Sequence, residues 1–75
     1  MRKTSQLFLK INGKEYKIVT FSNKVTLYHL LLFLGYKLNL IAIEYNGKII
    51  PIYKCEKTYL INKSNIEIVT IVGGG

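Results

Sequence analysis

An α+β domain, a mixed sheet of four to five strands packed on one helix, is what the sequence predicts, on three observations. Asn12-Gly13 and Asn46-Gly47 each sit between short segments of strand-like residues, the strongest short-range signal for a hairpin with a type I′ turn. Between these two turns the apolar spacing changes to i, i+3, i+4, i+7 at Leu27, Leu30, Leu31 and Leu34, which places those side chains on one helical face. The β-branched run Ile66-Glu67-Ile68-Val69-Thr70-Ile71-Val72 then reads as a strand of the kind buried in a sheet centre.

Taken in order, Leu7, Leu9 and Ile11 alternate with Phe8 and Lys10, and Tyr16, Ile18 and Thr20 alternate with Lys17 and Val19, so the chain opens with an antiparallel pair. A helix over 27–34 follows, with Thr26 as N-cap and Gly35 as the C′ residue. Tyr28, Leu32 and Phe33 lie off its inner stripe and are apolar as well. Two readings stay open for them: a helix buried more deeply than usual, or an exposed patch for a partner. After a loop at 36–40, residues 41–45 and 48–50 form the second hairpin, which Pro51 ends because it cannot donate to a central ladder. Residues 52–61 are mixed, with Tyr59-Leu60-Ile61 read as a short strand, and 62–65 form a turn before the last strand. A parallel pairing of first and last strands, with the helix crossing one sheet face, is the economical arrangement. This is the β-grasp, or ubiquitin-like, layout. Residues 1–72 are expected to form the domain and 73–75 a flexible C-terminal glycine tail.

Size and composition bound the function. A 75-residue chain buries only about 60% of the surface its unfolded form exposes, which leaves no room for a deep catalytic cleft. The net charge of +7, from 11 Lys and Arg against four Glu, brings an acidic partner or polyanion into consideration. Lys, Ile, Asn, Tyr and Phe make up 36 of the 75 residues, the bias of an A- and T-rich coding sequence such as a plastid or some bacterial genomes carry. The lysines are spread along the chain without an arginine-aromatic stripe, so no nucleic-acid partner is expected. No apolar run approaches a membrane span. With no signal-like apolar core after Met1 and a single Arg in the chain, neither a secretory signal nor an import leader is expected. That leaves the plastid stroma for a plastid-encoded chain and the bacterial cytoplasm otherwise.

Few residues qualify for catalysis. His29 is the only imidazole and Cys55 the only thiol, they lie on different elements, and neither has a sequence neighbour identifying an activating base. His29 is expected on the helix surface and Cys55 as a packing or half-exposed residue, and no metal set is expected. The unusual feature is the ending Val72-Gly73-Gly74-Gly75. Glycine passes through a narrow channel where a Cβ would clash, and the Gly75 carboxylate is expected to be unhindered. Joined to AMP, that carboxylate becomes a reactive acyl-adenylate that a sulfur donor converts to a thiocarboxylate.

Three stretches carry a resemblance: Ala42-Ile43-Glu44-Tyr45-Asn46-Gly47-Lys48-Ile49-Ile50-Pro51, the helix start Thr26-Leu27-Tyr28-His29-Leu30-Leu31, and Ile68-Val69-Thr70-Ile71-Val72-Gly73-Gly74-Gly75. Together they resemble the ThiS family, the sulfur carriers of thiamine biosynthesis. The chain departs from it at Lys63-Ser64-Asn65, where the family usually has a Gly-Asp pair, and in the longer apolar run of the helix. The resemblance implies a protein co-substrate and not an enzyme. An E1-like enzyme of the ThiF or MoeB type would adenylate Gly75 with ATP and magnesium, so the chain needs no cofactor of its own. A cysteine desulfurase or rhodanese-type donor would supply sulfur, and thiazole synthase, ThiG, would receive it. Two siblings share fold and ending: the small subunit of molybdopterin synthase, which generally lacks the Asn-Gly-x-Ile-Ile-Pro run, and ubiquitin-like protein modifiers. Because a glycine tail makes few contacts, partner specificity is expected from the body of the domain. The docking candidates are Ile68 and Ile50, then Tyr45, Leu32 and Phe33; period-2 alternation means one parity of 66–72 faces the core instead.

Overall fold

The computed structural model describes residues 4–21 and 24–71. Strands β1 (Ser5–Ile11) and β2 (Lys14–Thr20) precede helix α1 (Leu27–Phe33), and β3 (Ile41–Tyr45), β4 (Lys48–Ile50) and β5 (Ser64–Thr70) follow it. Short 3₁₀ turns occupy Leu38–Leu40 and Ile52–Lys57. One mixed sheet of five strands runs β2-β1-β5-β3-β4, with β5 parallel to β1 and antiparallel to β3. The expected β-grasp architecture is therefore present.

Local chemistry sets the element ends. Asn12 and Gly13 have φ of 50° and 84°, and Asn46 and Gly47 50° and 87°, the doubly left-handed pair that a type I′ hairpin requires. Each asparagine does more than turn the chain. The Asn12 side-chain oxygen accepts from the Ile68 N–H at 2.7 Å, and that of Asn46 from the Asn65 N–H at 2.7 Å, so both turns are tied to β5. The helix starts in a capping box between Thr26 and His29 and closes in a Schellman motif, with the Tyr36 N–H on the Leu31 carbonyl and the Gly35 N–H on that of Leu32, both at 3.0 Å.

Three boundaries differ from the sequence reading. Helix α1 stops at Phe33, with Leu34 as its C-cap. Strand β5 begins at Ser64 and ends at Thr70 instead of spanning 66–72, because Ser64 and Asn65 pair with Leu9 and Lys10 of β1. Tyr59-Leu60-Ile61 is no sheet strand: Tyr59 makes only an isolated bridge to Thr26, and the Leu60 N–H bonds the Val25 carbonyl at 2.8 Å.

The core lies between α1 and the inner sheet face. Leu27, Leu30 and Leu31 pack with Leu9, Ile11, Ile41, Ile43, Ile66 and Ile68, and Cys55 and Leu60 join the same cluster. Among these apolar side chains a polar knot is buried. The Tyr45 hydroxyl lies 2.8 Å from Ser64 Oγ and accepts from the Ile61 N–H at 2.9 Å, while Ser64 Oγ donates to the Ile61 carbonyl at 2.5 Å. Tyr45→Phe leaves these groups short of a partner inside the protein, so a loss of about 1–3 kcal/mol in urea-measured stability is expected.

Candidate functional site

Residues 73–75, the expected reactive tail, lie outside the described residues, but their root is fixed. Beyond β5 the Ile71 N–H bonds the Leu40 carbonyl at 2.8 Å, so the chain is held in the ladder until one residue before Val72. Around this root the outer sheet face, turned away from α1, exposes apolar side chains beside a pair of glutamates. Ile66 and Ile68 are buried, so the opposite parity of β5 faces outward. Val69 is 58% exposed, Ile71 55%, and Ile49 of the neighbouring hairpin 76%. Glu44 and Glu67, directly paired across β3 and β5, stand on the same face, and Ala42 pairs with Val69.

This geometry corrects the docking assignment. Ile68 and Tyr45 are each only 7% exposed and belong to the core, and Ile50 is half-buried against it. Their side chains are on the inner face because the register pairs Ile43 with both Ile68 and Ile50. On the helix, Leu32 is 50% and Phe33 82% exposed, so both are accessible, while Tyr28 is half-buried. Their side of α1 is turned away from the sheet. Val69 and Ile49 were not among the sequence candidates. A usable signal was present: Asn65 and Glu67 alternate with Ile66 and Ile68, and the polar members of such a pair mark the solvent parity.

A protein-family model, that of the ThiS family, matches residues 9–75, the last glycine included. The chain belongs to the ThiS family. Relatives extend the kinship: it is 42% identical over 65 residues to the uncharacterized protein ycf40 of Trieres chinensis, covering 87% of this chain and 85% of that one. It is 36% identical over 67 residues to ycf40 of Porphyra purpurea, covering 89% and 90% of the two chains. Among solved structures, the thiamine biosynthesis protein (ThiS) from Geobacter metallireducens superposes with a TM-score of 0.75 over 92% of this chain and 100% of that one. At 23% identity that likeness bears on the fold. The chain is thus a ThiS-like small carrier protein with a ubiquitin-like fold.

The remaining reactive side chains have structural duties in this ThiS-family domain. The exposed His29 closes the capping box: its N–H donates to Thr26 Oγ at 3.2 Å and its Nδ1 lies 3.0 Å from that oxygen. Cys55 is fully buried, its Sγ 3.8 Å from the Pro51 carbonyl oxygen. Burial pushes its thiol above the ordinary range, which keeps it protonated and a poor nucleophile. Among the described residues no group of three His, Cys, Asp or Glu could hold a metal ion.

Cys55→Ser is accordingly expected to leave sulfur loading unchanged, at a packing cost of about 1–2 kcal/mol, as read by intact mass and a thermal melt. The raised thiol pKa also has a pH consequence. Its stabilisation is complete below the unfolded thiol value of about 8.5 and is lost as pH rises through the higher folded value, because the unfolded chain releases this proton first. In the Cys55→Ser variant that alkaline decline is expected to be shallower.

Proposed function

We propose that this chain is a sulfur carrier whose terminal Gly75 carboxylate is adenylated, converted to a thiocarboxylate and used to donate sulfur to a thiazole synthase. The observation that carries the reading is the ThiS-family match continuing through Gly75; the apolar face around the tail root supports it. A carboxylate oxygen attacks the α-phosphorus of ATP and pyrophosphate leaves. The outer sulfur of a persulfide donor then attacks the acyl carbon and displaces AMP, leaving an acyl disulfide. A second thiol attacks the donor-side sulfur, so the thiocarboxylate leaves and the two thiols end as a disulfide. ATP and magnesium belong to an E1-like activating enzyme, so this chain supplies the carboxyl group, the tail that reaches it and the docking face. Val69, Ile71 and Ile49 form that face. Relatives in Trieres chinensis and Porphyra purpurea and the compositional bias support a plastid location.

The test is intact mass after incubation with ATP, an E1-like enzyme, a persulfide donor and a thiol reductant. The expected product carries one sulfur in place of one oxygen at Gly75. Stable lysine-linked conjugates on a denaturing gel would assign a protein modifier instead, and sulfur delivery to molybdopterin but not to thiazole would assign the sibling pathway.

A further inference from the structure

We propose that the outer sheet face carries a second recognition element, at the end away from the tail: a basic groove that takes an acidic, extended segment of a partner protein bearing an apolar side chain. A cavity of about 610 Å³ opens over β1, lined by Phe8, Lys10, Glu15, Lys17, Lys63 and Asn65. Its floor is Phe8, which faces outward because Leu9 and Ile11 take the inner parity. Lys17 is the direct cross-strand partner of Phe8. From the other side Lys63, in the left-handed conformation at φ 65°, donates its N–H to the Phe8 carbonyl at 2.6 Å. Phe8, 46% exposed, is therefore flanked by Lys17 on β2 and by Lys63 of the turn before β5, with Lys10 one outward step along β1. Glu15, paired with Lys10, is the one carboxylate lining the cavity.

This arrangement selects its occupant. A lone phosphate leaves most of such a volume and the whole of Phe8 uncovered. Single-stranded nucleic acid is held by successive aromatic platforms. Tyr16 also borders the cavity but pairs with Leu9 on the opposite parity, so Phe8 is the one aromatic side chain on the outer parity of β1 and β2. An extended acidic segment places carboxylates at the lysines and an apolar side chain on the ring, and a positively charged groove steers such a segment during encounter. From Asn65 at the groove to Val69 at the apolar patch is about 13 Å along β5, so one partner can cover both. The proposal rests on the carrier reading only in taking that partner to be an enzyme that receives the tail.

The test is an amide chemical-shift titration of the full chain with a synthetic octapeptide that carries a phenylalanine with glutamates two residues before and two residues after it, so that all three side chains stand on one face of the extended chain. Shifts centred on Phe8, Lys10, Lys17 and Lys63 are expected, weakening as salt is raised. Lys17→Glu combined with Lys63→Glu is expected to lower the affinity about tenfold or more with an unchanged melting temperature, since both side chains are exposed. Shifts scattered outside the groove, an unchanged affinity in the double variant, or tighter binding of ATP or of an oligothymidylate of equal charge would overturn the proposal. Deleting Gly74 and Gly75 should not alter peptide binding. Peptide binding without sulfur loading would therefore overturn the carrier reading alone, and the converse the groove alone.

Discussion

A chain shortened by Gly74 and Gly75 is expected to yield no thiocarboxylate, while unfolding at the same temperature as the full-length protein. Two residues of extended chain span about 7 Å, whereas a reacting carboxylate must approach within about 3.5 Å of its target, and a misplacement of about 1 Å already costs on the order of a hundredfold. The truncated carboxyl group therefore stops short of the activating enzyme's nucleotide, and loading falls to background. Stability is retained because the last described ladder bond, from the Ile71 N–H to the Leu40 carbonyl, lies ahead of the deletion. Intact mass and a thermal melt read the two halves of this result. Normal sulfur transfer by the shortened chain would sink the assignment of the reactive atom.

Substituting neighbouring residues of β5 separates folding from docking. Ile68→Glu places an unpaired carboxylate at a position 7% exposed, a change expected to cost about 3–5 kcal/mol. Much of a small domain's total stability, roughly 0.05–0.15 kcal/mol per residue, is lost with it. Val69→Glu points to solvent from a side chain 58% exposed, so stability is expected within about 0.5 kcal/mol of the parent. Its affinity for the activating enzyme is expected to fall about tenfold or more, because a charge is buried at the centre of the apolar patch. Ile71→Glu should behave as Val69→Glu does. Denaturant melts and binding isotherms on the three variants decide the matter. If the two outward variants fold and keep full affinity, the sheet face is not the docking surface and Leu32 and Phe33 on α1 take its place.

Much of this molecule was legible from nearest neighbours along the chain. Asn-Gly steps specify left-handed turns wherever they occur, so both hairpins were readable, and β3 and β4 have the predicted limits. Thr26 and Gly35 mark the helix ends by the same local logic, to within one residue. The three closing glycines are equally plain as residue types, and the proposed role of Gly75 rests on them.

Properties that depend on two distant segments meeting were decided only by the tertiary structure. Alternation along 66–72 contains two equivalent parities, and pairing with Leu9, Ile11, Ile41 and Ile43 broke the tie, sending Ile68 inward and Val69 outward. Tyr45 looked available for docking until Ser64 and Ile61 came within hydrogen-bond distance of its hydroxyl. Asn12 and Asn46 read as turn residues, yet their side chains also bond β5. The lysines are spread along the sequence, and only the folding of the 62–63 turn against β1 brings Lys63 to Phe8, across that strand from Lys17. Backbone preference is local and survives in the sequence alone; parity, burial and charge clustering are relations between segments, and they exist only once the sheet has formed.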